Sequence, residues 1–280
     1  MPYTPAQRRV VARFVDNQSH THYHLDWQPV SVWLQVAPSA STLAYNSQNR
    51  LIGVFLLSPP VEGVAWLRLV ALHDDVPPTT FSRMFSASVQ ACRHEGIREI
   101  AALETDAWLE SLVLANGFVH FDNIIHLKRP GGIPPPVPDY RIDIRKARRH
   151  DYPEIIGIDH AAFGPHWRIQ MEDLRSVMRL NTWCTVAEMV DGIVGYQLAT
   201  KYHDGMHLTR LATHPDYQGR GIGRSLVVSL IAQFPDKVVT VNTQQSNEAS
   251  QRVYRQLSFV TQNRTTQVWT YTVGFQSGHR

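Results

Sequence analysis

Nine residues near the middle of the chain limit its architecture more than any other feature. Pro130-Gly131-Gly132-Ile133-Pro134-Pro135-Pro136-Val137-Pro138 holds five prolines and two glycines. Proline locks φ and has no N–H, so this stretch cannot form a helix interior or a central strand. A proline run is instead an extended, semi-rigid spacer. At 280 residues the chain exceeds one average domain. The spacer at 130–138 therefore predicts two domains, over 1–129 and 139–280.

The two halves repeat one plan in register, which points to a duplication. In the first, apolar runs on either side of Asn46-Ser47-Gln48-Asn49 predict a β-hairpin over Thr42 to Leu57. In the second, Cys184 to Ala199 does the same around Asp191-Gly192. A strand-like run follows each hairpin, Leu67 to His73 and Leu208 to His214. The interval from Ala71 to Phe118 and that from Ala212 to Phe259 are both 47 positions.

The second half carries the chemistry. Leu208 to Thr213 is β-rich, His214-Pro215-Asp216-Tyr217 is a turn, and Val227, Leu230, Ile231 and Phe234 form a helical stripe. Between strand and helix lies Gln218-Gly219-Arg220-Gly221-Ile222-Gly223. A helix amino terminus presents unpaired N–H groups and partial positive charge, and so favours phosphate. Glycines there let phosphate oxygens approach the main chain. Arg220 and Arg224 are placed to add charge-assisted contacts. The loop lacks the GK[ST] of a Walker motif, and no Rossmann acid is evident.

The string from Leu211, Ala212 and Thr213 through Gln218, Gly219, Arg220, Gly221, Ile222, Gly223, Arg224, Ser225 and Leu226 resembles the pyrophosphate motif of the GNAT superfamily of N-acyltransferases. The resemblance covers about residues 140–273. It implies acetyl-CoA as co-substrate, with its pyrophosphate on that string. It also implies that N–H groups of Leu211 to Thr213 polarise the thioester carbonyl. The strand Lys237 to Asn242 and a helix after Asn247 match the family's next element. There Asn247 implies a contact to the pantetheine arm and Tyr254 a proton donor to the departing thiolate. Packing considerations alone make Asn247 a helix cap and Tyr254 a residue at the edge of a stripe formed by Ala249, Val253 and Leu257. Ser258 stands where the family usually has glycine.

Ile158 to Phe163 with Trp167 is similar to the first helix of bacterial ribosomal-protein N-terminal acetyltransferases, preceded by strand Tyr140 to Arg145 and a capping box from Asp151 to Glu154. Those enzymes carry a catalytic Glu where this chain has Asn242, which cannot act as a base. The base is thus unidentified; His207 and water are candidates. His214 suits a structural turn. Arg141, Arg145, Lys146, Arg148 and Arg149 read as a solvated basic face.

Carrying the glycine loop back through the repeat lands on Pro77-Pro78-Thr79-Thr80-Phe81-Ser82, and the Tyr254 position lands on Val113. The first half is therefore expected to be a degenerate copy that binds no acetyl-CoA, serving as structure or as one wall of the acceptor site. His20, His22 and His24 alternate but have no acidic or Cys partner at diagnostic spacing, and no metal site is expected.

The expected fold is α/β (α+β), with two tandem GNAT-like domains, each a mixed, mainly antiparallel sheet flanked by helices. The expected activity is acetyl-CoA-dependent acylation of a primary amine on a small molecule or peptide. Mycothiol-synthase-like acylation of a thiol-sugar amine and a non-catalytic CoA-binding scaffold are the alternatives. A net charge of +3 gives no case for nucleic acid, and apolar runs such as Leu51 to Leu57 are too short to span a bilayer. Two distant cysteines and a non-apolar amino terminus fit a reducing, cytoplasmic setting.

Overall fold

The computed structural model describes residues 1–24, 28–103, 106–132, 135, 142–180, 182–203 and 205–274. Most of the expected spacer, together with Tyr140 and Arg141, lies outside the described residues. The chain packs as two compact units. Unit 1 comprises Met1–Asp122 with Thr266–Arg280, and unit 2 comprises Asn123–Thr265.

The elements of the first half are α1 (Arg8–Val15), β1 (His20–Tyr23), α2 (Val30–Val36), β2 (Thr42–Tyr45), β3 (Leu51–Leu57) and β4 (Val64–Leu72). They continue with α3 (Thr79–Cys92), β5 (Glu99–Leu103), α4 (Ala107–Ala115) and β6 (Val119–Arg129). The second half has β7 (Asp143–Lys146), α5 (Tyr152–Ala162), α6 (Met171–Val177), β8 (Thr182–Met189), β9 (Gly192–Tyr202) and β10 (Gly205–Thr213). It ends with α7 (Ile222–Gln233), β11 (Val238–Gln244), α8 (Glu248–Gln256) and β12 (Val260–Thr272).

Both units use the predicted plan of a mainly antiparallel sheet with helices. In unit 2 the order is β6-β11-β10-β9-β8-β7, antiparallel except for β10 beside β11. In unit 1 it is β2-β3-β4-β5-β12, antiparallel except for β4 beside β5, and β1 also pairs with β4. Both predicted hairpins form. Asn46 Oδ1 closes the first by accepting from Gln48 N and Arg50 N, and Gly192 turns the second at φ +116°.

The division falls elsewhere than the expected 1–129 and 139–280. It lies inside β6 and inside β12, because each strand finds its partners in the other half of the chain. Ile124 to Arg129 of β6 pair with β11, and Val268 to Thr272 of β12 pair with β5. Leu127 accordingly enters the core of unit 2, and Trp269 enters that of unit 1. An apolar, β-prone stretch specifies that a strand forms, whereas the open edge available to it decides where.

The α7 stripe packs as predicted. Val227, Leu230 and Ile231 are buried against Met206, Leu208, Val239 and Val241, with Phe234 at the margin. On α8 the stripe is rotated from expectation, because Ala249 is exposed and Tyr254 is the one buried residue of the helix. Asp151 stands at the N-cap of α5 as expected, but its side chain makes no capping bond there; the carboxylate accepts from Arg148 N at 2.6 Å and from Arg145. The expected solvated basic face is thus partly paired: Arg145 bridges Asp151 and Glu188, and Lys146 lies over the Trp183 ring. Among the described residues, no helix is long and apolar enough to cross a membrane.

Candidate functional site

Two parallel strands that stop pairing create the opening. In unit 2, β10 and β11 pair from Gly205↔Val238 to Leu208↔Val241, and no further. At that point β10 carries a bulge, with Thr209 as the extra residue opposite β9. A bulge bends its strand and increases the local twist. Beyond it β10 stays on β9 through Thr213, while Asn242 to Gln244 of β11 continue alongside β6. The β11-facing edge of β10 over Leu211, Ala212 and Thr213 is therefore unpaired, and its main-chain groups line a wedge between the strands.

The glycine loop sits at the head of that wedge. After Thr213, a single 3-10 turn over Pro215–Tyr217 is closed by His214, whose Nδ1 accepts from Asp216 N. His214 thus has the structural role expected. Gly219 and Gly221 then take φ of +76° and +80°, values costly for other residues. Gly221 is the N-cap of α7, and its carbonyl accepts the first helical bond from Ser225 N. Among the described residues, the six N–H groups from Gly219 through Arg224 have no protein acceptor. That is a concentrated donor array at a positive helix end.

The side chains around the loop divide by task. Gln218 Nε2 donates to Thr213 O at 3.2 Å and ties the loop back to β10. Arg220 donates to Asp216 O and stacks over Tyr217, which aims it along the loop. Arg224 has a buried Nε with no partner. A buried, unsatisfied guanidinium nitrogen is expensive unless something anionic meets it. Ser225 donates its hydroxyl to Gly221 O at 3.2 Å, so its proton braces the cap. Ile222 is buried beneath the loop beside Val194 and Leu226.

Asn247 caps α8, accepting from Ser250 N at 3.0 Å through Oδ1; its Nδ2 remains available. Tyr254 is buried, stacks near Phe259 and shares the hydrophobic cluster of α7. Burial pushes its phenol pKa up, so the hydroxyl stays protonated at neutral pH. His207 is held by Thr240, with 2.9 Å between Nδ1 and Oγ1, and its pKa is lowered to about 4, by burial first and His126 second. It is therefore a neutral imidazole at physiological pH. Ser258, in the turn after α8, adopts φ +63°, the region that favours glycine.

Several residues of consequence were not singled out from the sequence. A Cβ on Gly195 of β9 would lie 2.9 Å from Ala212 O and 3.0 Å from Ile222 Cγ2, so glycine is what lets β9 support both strand and loop. Asp159 of α5 is fully buried; it accepts from Tyr196 Oη, from Arg210 and from Ile169 N. Arg210 also lies over the Phe163 ring and donates to Trp167 O at 2.6 Å. This network fixes β10 immediately after its bulge. No sequence signal separates such charges from a solvated face. His126, on β6 opposite Asn242, comes from the first half.

Comparison with known proteins fits this geometry. Residues 143–259 match the model of the acetyltransferase (GNAT) family. The chain is 30% identical over 127 residues to the peptidyl-lysine N-acetyltransferase YjaB of Escherichia coli, spanning 42% of this chain and 82% of that protein. It belongs to the acetyltransferase (GNAT) family. At the level of fold, a tandem GNAT protein from the clavulanic acid biosynthesis pathway matches 99% of both chains with a TM-score of 0.63 and 14% identity. A GCN5-related N-acetyltransferase from Sphaerobacter thermophilus matches 97% of this chain and 94% of its own, with a TM-score of 0.61 and 13% identity.

The first GNAT unit shows the same wedge and what has become of it. There β4 and β5 pair only over Val64 to Trp66 with Glu99 to Ala101. The edge of β4 beyond them is taken by β1, antiparallel, from His20↔Leu72 to Tyr23↔Leu69. His22 and His24 are thereby drawn inward, their pKa values lowered to about 4 and about 3 mainly by burial. At the head, Pro77 and Pro78 have no N–H, and the N–H groups of Thr80 and Ser82 bond back to Pro77 O and Pro78 O. The strand edge that is open in the second unit is taken in the first, and the run of six free N–H groups is cut to those of Thr79 and Phe81.

Proposed function

We propose that unit 2 binds acetyl-CoA and transfers its acetyl group to a primary amine of a peptide or small molecule. The observation that carries this reading is the six-membered run of unpaired N–H groups, Gly219 to Arg224, beside the orphaned Nε of Arg224. Such a site matches a pyrophosphate in charge and in acceptor count. Gln218, Arg220 and Ser225 hold the loop in shape, and Ile222 and Gly223 begin the helix on which the phosphates rest.

The chain's own groups then take separate parts. Along the Leu211, Ala212 and Thr213 segment, the N–H groups of Leu211 and Thr213 face the open edge of β10, where they bind the pantetheine arm and hold the thioester oxygen as charge develops on it, while Ala212 stays paired to β9. Asn247 Nδ2 donates to the same arm. Tyr254, kept protonated by burial, donates to the sulfur as it leaves. The CoA supplies an activated acyl carbon and a good leaving group. The likeness to a peptidyl-lysine N-acetyltransferase makes a lysine ε-amine the first acceptor to try.

The test is thiol release from acetyl-CoA in the presence of lysine peptides and a panel of small amines. Acetylated product with stoichiometric thiol supports the reading. CoA binding without thiol release from any amine would leave a binding scaffold and overturn it.

A further inference from the structure

An amine that attacks a thioester must shed protons, and the groups that receive them have to face the mouth of the wedge. On β10 and β11 the buried residues Met206, Leu208, Val239 and Val241 turn toward α7. Strand alternation therefore turns His207, Thr240 and Asn242 toward the opposite face. Leu127 of β6 likewise points to the α7 side, which sets its neighbour His126 on the face of its cross-strand partner Asn242. All four residues lie within two positions of Leu208↔Val241, where the strands part.

We propose that His207 is the proton acceptor for the attacking amine, and that His126, delivered to this sheet by the first half of the chain, is its positioning partner. This rests on the acetyl-transfer reading above. With Nδ1 engaged by Thr240, His207 has Nε2 free, since no described residue bonds it. His126 interacts with Asn242 and faces the charge of Arg264. It also acts on His207: a charge on one imidazole opposes a charge on the other. Lys128 lies exposed one pair further along the same face, opposite Thr240. Burial first, and His126 second, keep His207 uncharged, which preserves its lone pair and spares an incoming ammonium like-charge repulsion.

The protons balance as follows. The acceptor ammonium first loses one proton to solvent and exposes its lone pair. The C–N bond forms as the carbonyl electron pair moves to oxygen, and the nitrogen, now cationic and far more acidic, gives its next proton to His207 Nε2. The carbonyl reforms, the C–S bond breaks, and the sulfur takes a proton from Tyr254. His207 returns a proton through solvent to that phenolate, so one proton is released per turnover.

His207→Ala and His126→Gln test the assignment in the full-length chain, with poly-L-lysine and acetyl-CoA as probes. CoA calorimetry first establishes that each variant is folded and binds within about threefold of the wild type. His207→Ala is expected to lower kcat by about 10²–10⁴-fold, with partial rescue by added imidazole, which a packing defect would not show. His126→Gln is expected to lower kcat less, and in NMR titrations of the unliganded protein to move His207 upward from about pH 4. A wild-type rate for His207→Ala, or a loss that imidazole does not rescue, overturns His207 as acceptor. An unmoved His207 titration in His126→Gln overturns the pairing. If the wild type itself releases no thiol with any amine, the acetyl-transfer reading fails, and this proposal fails with it for that separate reason.

Discussion

Gly221 offers the sharpest separation between a phosphate cradle and a helix start that only needs flexible residues. Its φ of +80° is one that Asn and Asp tolerate better than other side chains. Gly221→Asn and Gly221→Asp should therefore fold alike, within about 1 kcal/mol of the wild type, which is a melting shift of at most about 4 °C. Binding should divide them. Either side chain crowds the six N–H groups and removes about one charge-assisted contact, worth about 1.5–3 kcal/mol, or roughly 10- to 100-fold in Kd. The Asp variant also sets a carboxylate against two pyrophosphate charges. At 4 Å in water each such pair costs about 1 kcal/mol, for a further 2 kcal/mol or roughly 30-fold. Calorimetry with CoA at low salt should rank wild type, Asn, Asp, and the gap between Asn and Asp should shrink in 1 M salt. Equal Kd values for Asn and Asp at low salt, or folded variants that both bind like the wild type, would refute the cradle.

Other outcomes can be checked separately. Tyr254→Phe should keep CoA affinity within a few-fold while kcat and kcat/KM fall about 10²–10⁴-fold; a small, pH-independent loss would reduce Tyr254 to packing. Calorimetry of the intact chain should give one CoA per molecule, because β1 and Pro77-Pro78 consume the first unit's wedge; two equivalent sites would contradict that account. Asp159→Asn leaves Arg210 without its charge partner in the core of unit 2 and should destabilise by about 3–5 kcal/mol. A melting temperature within 2 °C of the wild type would show that the network is dispensable.

The legible parts of this molecule are those set by local chemistry. Glycines at 219 and 221, an apolar stripe on α7 and turn residues at Asn46 and Gly192 each announce themselves, because φ, periodicity and capping act over a few residues. The shared 47-residue interval likewise exposed the common plan of the two halves. What escaped depends on distant partners. Thr209 looks like any other strand residue until β9 and β11 show that it is bulged. Nothing local marks Asp159 and Arg210 as a pair, though each is what permits the other's burial. Tyr254 lay one residue from the expected stripe of α8, a rotation set by how that helix meets α7. β6 and β12 were not singled out at all, and their neighbours could not be read from their own residues, since each pairs with a strand of the other half.

That exchange of strands shapes how the protein comes into being. During synthesis the first half emerges before its sheet can be completed, since β5 waits for residues 268–272, which follow all of unit 2. Until then an edge of paired-strand character is exposed, the kind of surface on which chains aggregate. The second half, by contrast, finds β6 already made when β11 appears. The part made first is finished last. A cut at the proline-rich spacer would therefore strip β11 of its partner strand, whereas a cut before Asn123 would leave that pairing in unit 2. The two halves share a plan and differ in chemistry, yet each completes its sheet with a strand from the other.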